Sequence, residues 1–385
     1  MQLLSDFYFF LCLALVSIPA VYLGVKERSI KYYGAFVTVF FVVLAMYGKP
    51  IALLYLFGYV VFEFILVKTY LKIKEKYGRN STFYWIYIIL SLSPLIICKV
   101  SEKFDMHILA FLGISYMTFK SVQIIIEIYD GIIKEIKAVD YFTFLLFFPT
   151  ITSGPIDRSR RFIKDFNSVM PKEDYLELLG TGIFKIFLGL CYKMVLATAF
   201  YQAMTWGGTN EYFLSDLVYM YSYGFYLFFD FAGYSLMAVG ISYIFGIKTP
   251  DNFNKPFISK DMKEFWDRWH ISLSYWFRDF IFSRIMMKAI KNKWFKEKLT
   301  AASFGFIINM TIMGVWHGLD NYYILYGFYH GLLLALTEIY QKKCPLHKKY
   351  KKEKWYKTIS WFITFNLIMF GFFIFSGRFT KLIGI

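Results

Sequence analysis

Apolar stretches long enough to cross a bilayer recur along most of this 385-residue chain, separated by short polar segments. About 20 apolar residues in a helix cross the hydrocarbon core. Backbone immersed in lipid must satisfy its own hydrogen bonds, which leaves helices as the form such segments take. Spans are predicted near residues 6–25, 32–48, 50–67, 82–98, 108–128, 176–204, 214–229, 231–246, 300–317, 322–340 and 358–376. The expected fold is all-α: a polytopic transmembrane helical bundle of about eleven spans, forming a single integral membrane domain over residues 1–385. No gap between spans has room for a separate soluble domain. Composition agrees, with 58% hydrophobic residues, 22% aromatic and a mean hydropathy of +0.47, against an apolar share of about half in soluble domains.

The net charge of +16 would suggest nucleic acid in a soluble chain, but here the cations gather between apolar segments, at 26–31, 68–79, 158–164, 288–298 and 342–357. That is the positive-inside pattern. It places the basic loops in the cytoplasm of a multi-pass cell-membrane protein and the amino end outside, and it calls for no nucleic acid. The first span has no small-residue cleavage site, so it reads as retained. Segment 99–105 is a charged break, with Lys120, Glu127 and Asp130 snorkelling near the end of the next span. Cys12, Cys98, Cys191 and Cys344 lack metal or CxxC spacing, so neither a metal site nor a disulfide is expected. No internal repeat, GxxxxGK, HExxH or GxSxG is present.

Four places break the apolar pattern in ways that point to chemistry. Residues 141–158, YFTFLLFFPTITSGPIDR, carry Pro149, Gly154 and Pro155; they read as a helix that stops part-way and turns back, or as an ordinary surface loop. Asp230 interrupts a lipid-compatible stretch and demands a partner or water; it reads as a hydrogen-bond anchor supporting a site more readily than as a reacting group. Residues 260–280, KDMKEFWDRWHISLSYWFRDF, start with a helix signal at Asp261 and Glu264 and place Trp266, Trp269, His270, Leu273, Phe277 and Phe280 on one helical stripe. This predicts one amphipathic helix that roofs a cavity or anchors at the interface. His317, in GVWHG, sits near the end of an apolar helix, where a histidine is a functional candidate by default, and Gly314 and Gly318 are read as leaving its flank uncrowded. His330 reads as structural, and His107 and His347 as loop residues. Downstream of the amphipathic stretch, Ile285, Met286, Met287 and Ile290 alternate with Lys288 and Lys291. That surface suits an acidic helical protein, or equally a membrane-surface helix.

The pairing of WDRWHISLSYWFRDF with a later MGVWHG resembles the membrane-bound O-acyltransferase superfamily. Together with FFPTITSGPIDRSRRF, FDFAGYSLMAVGIS and NFNKPFISKDMKEF, the blocks are similar to the D-alanyl transfer branch of Gram-positive bacteria from about Tyr141 onward. The resemblance implies a ring of helices around a central funnel with re-entrant and interfacial helices. It puts His317 at the catalytic histidine position and His270 at the second polar position. It implies no permanently bound cofactor; the donor is D-alanine on the 4'-phosphopantetheine arm of a small acidic D-alanyl carrier protein, and D-alanine ends on lipoteichoic acid outside the membrane. A single-pass membrane partner and a short membrane peptide are the other implied partners.

A thioester carbonyl is reactive and its thiolate leaves readily, so the main need is a base for the attacking hydroxyl. One neutral imidazole supplies that at cellular pH, worth on the order of 100- to 10,000-fold. His317 is assigned as that base, with His270 orienting the acceptor or polarising the carbonyl. Trp266, Trp269 and Trp316 are expected to wall the tunnel, with Ser153 and Asp230 in support, and Arg268 and Arg278 to meet the carrier's phosphate or structural carboxylates. The alternatives are O-acetyl transfer to an exported polysaccharide, a transporter that needs no Trp–His–Gly setting, and an envelope scaffold indifferent to His317.

Overall fold

The computed structural model describes residue 4 and residues 6–209 and 213–384. Among them the regular structure is helical throughout, as expected, and seven helical segments are long and apolar enough to cross a membrane. The polypeptide folds as two compact units that interleave in sequence: Met1–Cys191 with Gly233–Asp251, and Tyr192–Ala232 with Asn252–Ile385.

The first unit opens with α1 (Phe7–Val25), α2 (Lys31–Ala45), α3 (Pro50–Tyr77), α4 (Ser81–Lys103) and α5 (Ile114–Tyr129). Asp6 caps α1 through the Tyr8 N–H, and Asn80 caps α4 through the N–H groups of Thr82 and Phe83. Helix α3 runs on through the basic stretch that reads in sequence as a loop from residue 68. Nothing breaks the helix before Gly78, which has a positive φ of 66°. Its lysines find work there, Lys68 donating to the Ile136 carbonyl and Lys74 to that of Tyr129.

Helix α6 (Ala138–Leu146) stops before Pro149, and a 3-10 turn and irregular backbone lead to α7 (Ser159–Asn167). A helix ending in the interior leaves carbonyls without intrahelical partners. Lys120, 1% exposed, donates to the Phe144 carbonyl at 2.9 Å and reaches Leu145 O and Thr150 Oγ1. The expectation that Lys120 and Glu127 snorkel outward is therefore corrected: the broken helix needs an interior donor, and buried Glu127 accepts from Ser159 Oγ at 2.6 Å. Asp130 does lie at the rim, with Arg79.

Helix α8 (Lys172–Leu190) continues through a π-helical turn at Cys191–Leu196 into α9 (Ala197–Thr209). The two spans predicted at 214–229 and 231–246 are one helix, α10 (Phe213–Ile244), of 32 residues. No proline interrupts it, and Asp230 is neutralised in place. Gly240 lies where its carboxyl half meets α8, so close that a Cβ there would fall 2.4 Å from the Gly182 carbonyl oxygen.

The second unit adds α11 (Met262–Trp266), α12 (Ile271–Phe277) and, after a π-helical turn at Arg278–Phe282, α13 (Ser283–Lys291). Helices α14 (Lys298–His317), α15 (Asn321–Lys343), α16 (Pro345–Tyr350), α17 (Lys354–Phe375) and α18 (Arg378–Leu382) complete it. Helix α15 carries a GxxxG, Gly327–Gly331, and a second, Gly314–Gly318, runs from the last turn of α14 to the residue that follows it. The glycines do not leave open space beside His317 as read from sequence. They are filled by the neighbouring helix: a Cβ on Gly314 would lie 2.4 Å from the Tyr323 carbonyl oxygen, and one on Gly318 2.3 Å from the Tyr323 ring.

Candidate active site

The expected single amphipathic helix over 260–280 is broken in two. Asp261 starts α11 as predicted, its carboxylate accepting from the N–H groups of Lys263 and Glu264, both at 2.9 Å. The helix then ends at Trp266, and His270 adopts the left-handed conformation, φ 43° and ψ 50°. A non-glycine residue there costs roughly 1–2 kcal/mol and persists only where its surroundings hold it. Asn252 does the holding. Its carbonyl accepts from the Ile271 N–H at 2.9 Å, and its Oδ1 accepts from Ser272 N at 3.3 Å and Ser272 Oγ at 2.6 Å. On the other flank Asn254 N–H donates to the Arg268 carbonyl. The predicted stripe is nonetheless mostly inward: Trp266, Trp269, His270, Leu273 and Phe277 are buried, and Phe280 is half-buried.

The break turns His270 into a cleft of about 50 Å³, lined from α10 by Leu227 and Phe231, from 266–273 by Trp266, Trp269, His270 and Leu273, from α14 by Met313 and His317, and from α15 and α17 by Tyr326, Phe372 and Phe375. That volume admits roughly three or four water-sized groups. The two histidines assigned from sequence therefore share one narrow, aromatic cleft. His317 is the last residue of α14, its ring 5.0 Å from Phe375 and 6.3 Å from Tyr326. His270 stands edge-on to Phe231 at 4.6 Å. Its segment lies between the spanning helices α10 and α14, and burial, with a smaller contribution from neighbouring His317, pushes its protonation down to about 3. His270 is thus neutral at cellular pH. Its Nδ1 and the Trp266 Nε1 have no hydrogen-bond partner among the described residues. Buried polar atoms are nearly always satisfied, and both of these residues line the cleft, where a bound group or water can reach them.

The remaining assignments divide. Trp316 lies 4.5 Å from the His317 ring but does not line the cleft. Arg268 takes the structural option, donating to Glu264 Oε1 at 2.9 and 3.1 Å. Arg278 is exposed, paired with Asp279 and stacked 4.0 Å over Tyr275. Ser153 belongs to the first unit, hydrogen-bonded to Tyr116. On α13, Met287, Lys288, Ile290 and Lys291 are exposed, while Ile285 and Met286 are half-buried. His330 is fully buried against Trp266 and Tyr326.

Asp230 does not line the cleft, though its helix neighbours Leu227 and Phe231 do. It pairs with Lys193 on the π-helical turn before α9, as a carboxylate in an apolar segment requires. With the side chains 38% and 20% exposed, removing one charge should cost about 1–3 kcal/mol, below the 3–5 kcal/mol of a fully buried pair. Asp230→Leu alone should lower the thermal midpoint more than the Asp230→Leu/Lys193→Met double variant; equal losses would show that the pair is not coupled. Lys193, Asn252, Ser272 and Tyr326 were all missed from sequence. Only Lys193, a lone cation in an apolar run, carried a signal.

The model of the membrane-bound O-acyltransferase family matches residues 77–377 of this chain. The chain is 42% identical over 386 residues to the teichoic acid D-alanyltransferase of Bacillus subtilis (strain 168), covering 97% of this chain and 98% of that protein. It is 39% identical to the protein of the same name from Lacticaseibacillus rhamnosus, over 97% and 96% of the two chains. It is also 31% identical to a probable alginate O-acetylase of Azotobacter vinelandii, over 71% of this chain and 52% of that one. The family match takes in both histidine blocks and the helices that wall the cleft between them. This multi-pass membrane protein is an acyltransferase, and it belongs to the membrane-bound O-acyltransferase family.

Proposed function

We propose that this protein transfers D-alanine to teichoic acids, taking it from a thioester on the phosphopantetheine arm of a small acidic carrier protein and passing it to a hydroxyl. The observation that carries this reading is the meeting of His317 and His270 in one tight aromatic cleft. The relatives named teichoic acid D-alanyltransferase, aligned over nearly their whole lengths, support the acyl group and the acceptor class. O-acetyl transfer to an exported polysaccharide is the second reading, favoured by the alginate-type relatives that align over about half their own length.

In the proposed reaction the acceptor oxygen bonds to the thioester carbonyl carbon while His317 takes the hydroxyl proton. The carbon–sulfur bond then breaks, and the imidazolium returns that proton to the departing sulfur. Neutral His270 orients the acceptor or polarises the carbonyl. Trp266 and Trp269 keep water from the thioester. The exposed α13 face, with Met287 and Ile290 beside Lys288 and Lys291, receives the carrier from the cytoplasm, where the basic loops lie with the amino end outside. Lipoteichoic acid on the outer side is the final acceptor, and a single-pass membrane partner and a short membrane peptide complete the system.

The purified protein, supplied with lipoteichoic acid as acceptor and offered D-alanyl carrier and acetyl-CoA in competition, should consume the carrier thioester and leave acetyl-CoA intact. Preference for acetyl-CoA would install the second reading. Consumption of neither by folded protein would return the transporter and scaffold readings.

A further inference from the structure

An open groove of about 1200 Å³ runs along α15, α16 and α17 and shares no lining residue with the histidine cleft. It exceeds the roughly 300–1,000 Å³ of small-molecule pockets. Along its length it is apolar: Leu336 and Ile339 of α15 and Ile359 and Ile363 of α17 line it and are 37–52% exposed. Toward α16 it is cationic, lined by Lys260, Lys343, Lys351 and Lys357. Trp355 and Tyr340, both exposed, stand at the same end, the aromatic types enriched at headgroup level. A hydrogen-bonded relay from His347 through Tyr356 to Tyr340, 3.0 Å at each step, stiffens it.

The lysine charge there is not balanced by the protein. The two carboxylates on the lining are engaged: Asp261 caps α11 and accepts from Gln341, and Glu264 binds Arg268. Lys343 approaches Glu297 only at 3.6 Å with both side chains exposed. Lys260, Lys351 and Lys357 make no ion pair among the described residues. We infer that this groove is a binding site for an anionic phospholipid, its acyl chains along Leu336 and Ile363 and its phosphodiester among the lysines. Basic recesses between transmembrane helices recognise such headgroups. A second copy of this protein fits poorly, because each copy carries a net charge of +16.

The test uses the full-length protein in detergent, titrated with dioleoyl phosphatidylglycerol or dioleoyl phosphatidylcholine, with retained lipid counted by native mass spectrometry. Wild type should retain phosphatidylglycerol in preference. The Lys351→Ala/Lys357→Ala variant should weaken that retention roughly 25-fold, at about fivefold per lysine, and leave phosphatidylcholine unchanged. The Leu336→Trp/Ile363→Trp variant fills the apolar length with the lysines intact and should lose both lipids; Lys72→Ala on α3 should lose neither. Equal retention of the two lipids by wild type would overturn the inference. So would retention of phosphatidylglycerol by both groove variants, its displacement by inorganic phosphate alone, or a dimer that forms on this face and excludes lipid.

Discussion

Replacing His317 by alanine is expected to remove nearly all D-alanine ester from the cell envelope while the protein accumulates in the membrane at its usual level. The expected loss in turnover is on the order of 100- to 10,000-fold, the range for deleting a general base. The variant keeps its fold because His317 is the last residue of α14 and lines an aromatic cleft without carrying the helix contact, which the glycines make. Wild-type ester levels in this variant would end the catalytic assignment. The companion measurement is the pH profile. Burial keeps His270 in its neutral imidazole form through the neutral pH range, so an acidic limb near neutrality is not its own. His270→Gln should therefore lower the rate and leave that limb in place.

The second large effect comes from a methyl group. Glycine to alanine inside a helix ordinarily stabilises by about 0.5–1 kcal/mol, and Gly180→Ala on α8, where a Cβ meets nothing within 4 Å, should be neutral or slightly stabilising. Gly327→Ala should do the reverse. Its Cβ would sit 2.3 Å from the Met310 carbonyl oxygen and 3.0 Å from the Gly314 Cα. These are backbone atoms, so α14 and α15 must part. Overpacking of this kind costs about 1–3 kcal/mol. It also moves Tyr326 relative to His317, so activity should fall along with the thermal midpoint in detergent. Equal midpoints for Gly327→Ala and Gly180→Ala would show that the two helices are not locked at this crossing.

What could be read from the sequence followed from which signals are local. Span positions near 300–317, 322–340 and 358–376 were legible because apolar length is a local property, and α14, α15 and α17 follow them closely. The Asp261 cap was legible for the same reason. The break at His270 was not. Periodicity alone continues smoothly through WDRWHIS, and only Asn252, 18 residues upstream, reveals that the helix is interrupted. Lys120 was misplaced because its carbonyl partners on α6 are 24 and 25 residues away. The meeting of His270 and His317 was anticipated only through the combined motif, since neither position alone specifies a shared cleft.

The Lys193 and Asp230 pair also constrains how the protein is made. The two charges lie 37 residues apart, so during synthesis the lysine segment emerges before its counter-ion exists. A lone lysine at the centre of an inserting helix is penalised by about 2.5–3.5 kcal/mol, and an aspartate comparably. The two segments are therefore best released into lipid as one hairpin, already neutral overall, and not as successive independent helices. A substitution at Asp230 would then also lower the yield of inserted protein, in addition to destabilising the molecules that do fold.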